Sequence, residues 1–163
     1  MRIILSAIAF LICLQPLMAS RVDELYSTLP KLKDDTNKVR IYEELIDILV
    51  KRDSDSEKAD KYIQLGSSLA QELNDKLGTA RILDLKGKLY RNRSQYDSAL
   101  YYHFKALDVA AAIHDDYLKI KILNHIGVVY RRRDEIQTAI DYHLKALELS
   151  EKLKDMHGIS VAE

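Results

Sequence analysis

Five histidines stand among 25 Asp and Glu residues, the side chains from which metal ligands and acid–base pairs are made. Their spacing assembles no reaction centre. His103 and His143 occupy matching positions of two similar helical segments. Neighbouring helix axes stand about 8–10 Å apart, whereas zinc ligands all lie about 2 Å from the ion, so the two rings do not reach one metal. A packed or hydrogen-bonded histidine on a helix face is the reading that this geometry favours. The sequence has no His-x-x-x-His, no Gly-rich phosphate loop and no Ser or Cys in a nucleophile setting. No catalytic residue, metal or cofactor is assigned, and an enzyme is not expected.

A second constellation is basic. Arg81, Asp84, Lys88, Arg91 and Asn92 lie opposite the apolar face of one helical segment, and Lys121, Asn124, Val128, Arg131 and Arg132 opposite that of the next. Arg and Lys held on rigid helices pair with carboxylates or a peptide C-terminus. The competing reading is a solvated helix face, because Arg131, Arg132 and Arg133 sit at a helix C-terminus, where cations are favoured anyway. Nucleic acid is not an expected partner. The 25 Lys and Arg are balanced by 25 Asp and Glu, and no aromatic platform interleaves the basic residues.

The elements that position these residues follow from an internal repeat. An offset of forty lays Gly87, Tyr90, Ala99, His103, Lys105, Ala106 and Leu107 on Gly127, Tyr130, Ala139, His143, Lys145, Ala146 and Leu147. Units are expected at 35–74, 75–114 and 115–154, the first of them degenerate, with a further one beginning at 155–163. Repeats of this length signal a solenoid, in which each unit buries its apolar face against its neighbours. Within the middle unit, Ala99, His103, Ala106, Ala110 and Ile113 step by four and three along one helix face, as Leu83, Gly87 and Tyr90 do in the helix before. Each unit is therefore predicted to be a helix-turn-helix hairpin. N-caps are expected at Asp35 or Thr36, Ser54, Asp75, Ser94, Asp115, Asp134 and Asp155. Residues 20–34 hold a short leading helix that caps the stack. Gly87 and Gly127 need a packing reason inside a helix, and the nearest is close approach of Ala99 and Ala139 on the second helix.

Composition agrees with an all-α chain. The 163 residues are 47% hydrophobic and 31% charged, enough for one ordinary domain, and both prolines (Pro16, Pro30) fall at or before residue 30. Residues 1–19 are a separate object: Arg2, the apolar run from Ile3 to Leu14, then Pro16 and the small pair Ala19 and Ser20. This is the pattern of a secretory signal peptide cleaved near Ala19 or Ser20, and its apolar core of 12 residues is short of the roughly 20 that span a bilayer. The chain is accordingly expected to be exported, to the periplasm or the extracytoplasmic face of the membrane. Cys13, the single cysteine, leaves with the leader.

Leu83, Gly87, Tyr90, Ala99, His103 and Ala106, and again Leu123, Gly127, Tyr130, Ala139, His143 and Ala146, resemble the tetratricopeptide repeat. The forty-residue period resembles its longer branch, seen in kinesin light chain and in many exported bacterial signalling proteins. Departures are the histidines at an aromatic position and the absence of an opening Trp and a closing Pro. The resemblance covers residues 35–163 and implies an α-α superhelix of antiparallel hairpins whose first helices line a concave groove. It places Arg81, Asp84, Lys88, Arg91, Lys121, Asn124, Arg131 and Arg132 in that groove, which then leans basic. Asn124 resembles the asparagine that hydrogen-bonds the backbone of an extended peptide in such repeats.

The expected function is a protein–protein interaction scaffold binding a peptide or protein, acidic or with a free C-terminal carboxylate. The alternative is the extracytoplasmic sensory region of a longer membrane-bound protein, with a histidine kinase or helix-turn-helix output, as the resemblance implies. The membrane then enters only through the leader or a downstream helix. The nine residues from Asp155 do not cover Ile140, Leu144 and Leu147, which invites continuation of the array or self-association. Tyr101, Tyr102 and Tyr142 are expected to pack between neighbouring units.

Overall fold

The computed structural model describes residues 21–52 and 56–160, with side chains through residue 154. The expected leader at 1–19 and the expected cap Ser54 lie outside these residues. All regular structure among the described residues is helical. Residues 21–28 form α1, followed by a 3-10 turn at Leu29–Lys31. Then come α2 (Thr36–Val50), α3 (Ser56–Glu72), α4 (Lys76–Asn92), α5 (Tyr96–Ala112), α6 (Asp116–Arg132) and α7 (Ile136–Ser160). Short turns make α2/α3, α4/α5 and α6/α7 antiparallel hairpins, and the hairpins stack. The first helices touch in the order α2, α4, α6, while α3 wedges against α4 and α5 against α6.

Burial explains the stacking. Val22, Leu25 and Leu29 of the leading segment join Val39, Leu45, Leu49, Ile63, Ile82 and Leu89 in one cluster, and Ala80, Ala99, Ala106, Ile122, Ile126 and Val129 form the next. Helix α4 contributes to both, so the core is a continuous seam rather than a single globule. The tyrosines pack mostly within hairpins. Tyr102 stacks on Tyr90 at 5.2 Å and Tyr142 on Tyr130 at 5.3 Å between ring centroids. Between units, Phe104 meets Tyr142 edge-on at 6.1 Å, and Tyr101 is exposed beneath Lys105.

The turns repeat with one geometry. Asn74, Ser94, His114 and Asp134 all adopt left-handed backbone, with φ from 53 to 66°. In each turn the amide of this residue bonds back to the carbonyl three before it, and the next amide to the carbonyl five before, as in Ser94 to Arg91 and Gln95 to Tyr90. This is a Schellman closure made without glycine, on Asn, His and Asp, the types that tolerate this region best, and on one Ser. Asp35, Asp75 and Asp115 cap the helices after them, accepting from the amides of Lys38, Gly78 and Leu118. Ser94 and Asp134 are not N-caps as expected. Their left-handed conformation ends α4 and α6, and α5 is entered through Gln95, whose side chain caps nothing.

Two further expectations are corrected. No new helix begins at Asp155, because α7 runs unbroken to Ser160. Continued helical bonds satisfy that backbone locally, whereas the turn geometry elsewhere is held by the burial of the helix that follows it. The exposed face of α7 follows from the same edge: Ile136, Ile140, Leu144 and Leu147 are 44–55% exposed, while Leu100, the counterpart of Ile140 on α5, is buried under α6.

The glycines face histidines, not alanines. A Cβ added at Gly87 would lie 2.6 to 2.8 Å from three atoms of the His103 ring, and one at Gly127 2.7 to 3.0 Å from the His143 ring. His103 is fully buried and its ring cannot retreat, whereas His143 is partly exposed. Gly87→Ala is therefore expected to destabilise the chain by about 1–3 kcal/mol despite its better helix propensity, and Gly127→Ala by less. Urea unfolding of the two variants checks this. Equal midpoints, or a more stable Gly87→Ala, would contradict the packing.

Candidate functional site

The first helices enclose a groove of about 450 Å³. Helix α2 contributes Arg40, Glu43, Glu44 and Asp47, α4 contributes Arg81, Asp84 and Lys88, and α6 contributes Lys121 and His125. Of the residues predicted from sequence, Arg81, Asp84, Lys88 and Lys121 come together here, while Arg91, Asn124, Arg131 and Arg132 do not line this space. The expected basic lean is absent. Four cations meet four carboxylates, because α2 brings three acidic residues that the basic units do not reveal. Arg81 pairs with Glu43 at 3.4 Å and Lys88 with Asp47 at 3.3 Å. Glu44 is held by Arg21 at 2.7 Å. Arg40 and Lys121, on the helices that flank α4, make no ion pair among the described residues.

Electrostatics differ sharply between two of the carboxylates. Burial pushes Glu43 up from 4.5 to about 6, and the Arg81 guanidinium offsets this only in part. Asp84 is also buried, which by itself would raise it, but the bonds from two imidazoles outweigh burial and hold the carboxyl well below its ordinary range. Its Oδ1 lies 2.8 Å from His103 Nδ1 and 2.9 Å from His125 Nδ1. With Asp84 ionised, both rings donate Nδ1–H to this one oxygen. Burial lowers His103 against the pull of Asp84, so the buried ring is neutral. Asp84 is thus an internal anchor at the floor of the groove, not the free ligand that its helical position implied.

The remaining predicted residues have structural partners or lie elsewhere. Asn124 Oδ1 accepts from His143 Nδ1 at 3.0 Å, one unit after the Asp84–His103 pair. Asn92 donates to the Val50 carbonyl at 2.8 Å and so closes the end of α2. Arg91 is half-buried with its Nε unpartnered, and burial together with Arg132 lowers it. Arg131 and Arg132 are exposed in the last turn of α6, where the helix dipole favours them. Arg133 bridges to Asp97 on α5 and Glu135 at 2.7 Å each, and Arg93 likewise bonds Asp60 on α3. These arginines stitch the end of one hairpin's first helix to the preceding hairpin. His125, Arg40, Glu43 and Asp47 were missed. A signal for His125 existed: it stands one residue past the repeat counterpart of Asp84.

Residues 79–152 match a family model described as tetratricopeptide repeat. These residues are tetratricopeptide repeats. Among solved structures, the chain is similar to a Signal Transduction ATPase with Numerous Domains (STAND) protein with a tetratricopeptide repeat sensor from Pyrococcus horikoshii. The identity is 22% and the TM-score 0.73, over 90% of this chain and 23% of that one. It is also similar to BtubC (BKLC) from P. vanneervenii, at 22% identity and TM-score 0.65, over 85% of this chain and 56% of that one. The chain thus spans about a quarter and about half of these two proteins, and the likeness is one of fold. No curated protein matches the sequence. The tetratricopeptide repeat is a scaffold for protein–protein interaction, generally without catalysis of its own, and its stacked hairpins present an extended concave surface.

The groove carboxyl yields a signed pH dependence. Glu43, raised in the folded chain, contributes stability that is fully present below pH 4.5 and lost as pH rises through about 6. Asp84, lowered, works in the opposite sense, contributing stability above its ordinary range that is lost as pH falls through the depressed value. Glu43→Gln should therefore gain about 1–2 kcal/mol relative to the wild type between pH 5 and pH 7.5. Denaturant midpoints of both proteins across that range check it, and a constant difference would refute the buried, raised carboxyl.

Proposed function

We propose that this tetratricopeptide repeat protein is an exported module that binds a peptide or protein partner in the groove between α2, α4 and α6. The observation that carries the reading is the state of the groove's charges. Arg81, Lys88 and Glu44 are engaged by neighbours, while Arg40 and Lys121 flank the opening with no ion partner among the described residues. Two cations on rigid helices at the sides of a groove suit a ligand carboxylate, from an acidic side chain or a free C-terminus. Export rests on residues 1–19, with their charged start, apolar core and small-residue end. No helix among the described residues is long and apolar enough to cross a membrane.

A second reading, the extracytoplasmic sensory part of a longer signalling protein, is favoured by the uncovered apolar face of α7. The similar Pyrococcus horikoshii protein carries repeats of this fold described as a sensor. The two readings share the groove and differ in what lies on the α7 side.

Fluorescence anisotropy with acidic peptides, each bearing a free or an amidated C-terminus, tests the groove. Arg40→Glu combined with Lys121→Glu is expected to weaken binding at least tenfold, and added salt to weaken it in the wild type. Affinity unchanged by the double substitution would remove these cations from the site. Fractionation with N-terminal sequencing tests export. The first reading predicts periplasmic protein with a new N-terminus near Ala19 or Ser20, and protein retained in the membrane would favour the second.

A further inference from the structure

We propose that Asp84, His103 and His125 form a binding site for a divalent first-row transition ion, of which zinc is the best fit. The three side chains come from α4, α5 and α6, so the site exists only when two successive hairpins are stacked. One donor atom from each lies within 4.8 Å of the others, the single such cluster of three among the described residues. Two of the three edges, from Asp84 Oδ1 to each Nδ1, are 2.8 and 2.9 Å. Donors about 2.0–2.1 Å from a tetrahedral ion stand about 3.3 Å apart, so each of these two edges opens by about half an ångström to admit one, and the third, between the two rings, is within 4.8 Å. The rings are tilted at 36° with centroids 5.6 Å apart, and so are not stacked against each other.

The chain supplies its own comparison for what the cluster is built to do. One unit later, Asn124 holds His143 at 3.0 Å with a neutral amide. Holding a histidine against its glycine therefore needs no carboxylate. At position 84 the protein buries a negative charge, a costly choice unless that charge is compensated, and a second imidazole, His125, converges on the same oxygen. Two imidazoles and one carboxylate are the donor set of borderline ions such as zinc, with a fourth position left open. That position faces solvent: Asp84 and His125 line the groove, and the His125 side chain is 24% exposed. Binding requires each neutral ring to carry its proton on Nε2 so that the Nδ1 lone pair faces the ion. For His103 this gives up the Nδ1–H bond to Asp84 and places the proton on a buried Nε2 that has no acceptor among the described residues, a cost that the bond from Nδ1 to the ion must outweigh.

The test is calorimetric titration of the chelator-stripped full chain with zinc, with cobalt(II) absorption as a geometric readout. One ion per chain, tetrahedral cobalt bands and a zinc-dependent rise in melting temperature are expected. Asp84→Asn, which keeps the hydrogen bond to His103 in the manner of Asn124 and His143, should lower zinc affinity at least tenfold while leaving the helical circular dichroism unchanged. His125→Ala should do the same from a partly exposed position, and His143→Ala should leave the affinity as it was. No saturable binding would overturn the proposal, as would equal affinity in Asp84→Asn, His125→Ala and the wild type, which would assign the ion to other histidines. Because none of these readouts involves a peptide, failure here is separable from failure of the groove reading.

Discussion

An imidazole set into the space left by a glycine is the contact on which the hairpins depend. The His103 ring fills the volume beside Gly87, and the His143 ring that beside Gly127. Interiors pack at near-crystalline density, so the ring and the missing Cβ form one unit of design. The first hairpin shows the rule by exception. Where Ile63 stands at the histidine position, the glycine position is Asp47, which points into the groove, and Glu44 at the Asp84 position turns to Arg21 instead. Glycine, histidine and an inward polar acceptor change together along the chain.

That contact also decides the electrostatics. A histidine buried between helices needs a partner for at least one ring nitrogen, and the partner must come from the first helix, three residues before the glycine. Asn124 provides it without charge and Asp84 with charge. A charged partner at the floor of the groove is tolerated because two imidazoles donate to it, while for Glu43 burial outweighs the nearby Arg81 and Arg40 guanidinia and pushes the carboxyl toward protonation. Two carboxylates of one groove therefore respond to acid in opposite senses. The groove's four cations and four carboxylates balance in number.

The fold tolerates its small glycine content because the turns do not use it. Left-handed Asn74, Ser94, His114 and Asp134 close each helix, and the aspartates that follow two of them open the next. Each turn spans only a few residues, so consecutive helices must lie antiparallel and adjacent. Arg93 and Arg133 then tie each hairpin to its predecessor. The apolar face of α7 is what such a stack presents wherever a further helix is not packed upon it.

The amino-acid sequence by itself determined the helical hairpins, their order and the caps Asp35, Asp75 and Asp115, because apolar periodicity and local hydrogen bonding are properties of short windows of chain. It also singled out Gly87, Gly127, His103 and His143 as matching positions, and the family to which they belong. Their contact was not legible: the glycine was paired with alanine, since spacing along one helix does not say which side chain of another fills its groove. The tertiary structure alone decided that Ser94 and Asp134 end helices, that acidic residues of α2 cancel the basic residues of α4 and α6, and that His125 meets His103 at Asp84. Each of these depends on a partner tens of residues away or on the burial of a neighbouring helix, and such distances are set by packing, not by any pattern along the chain.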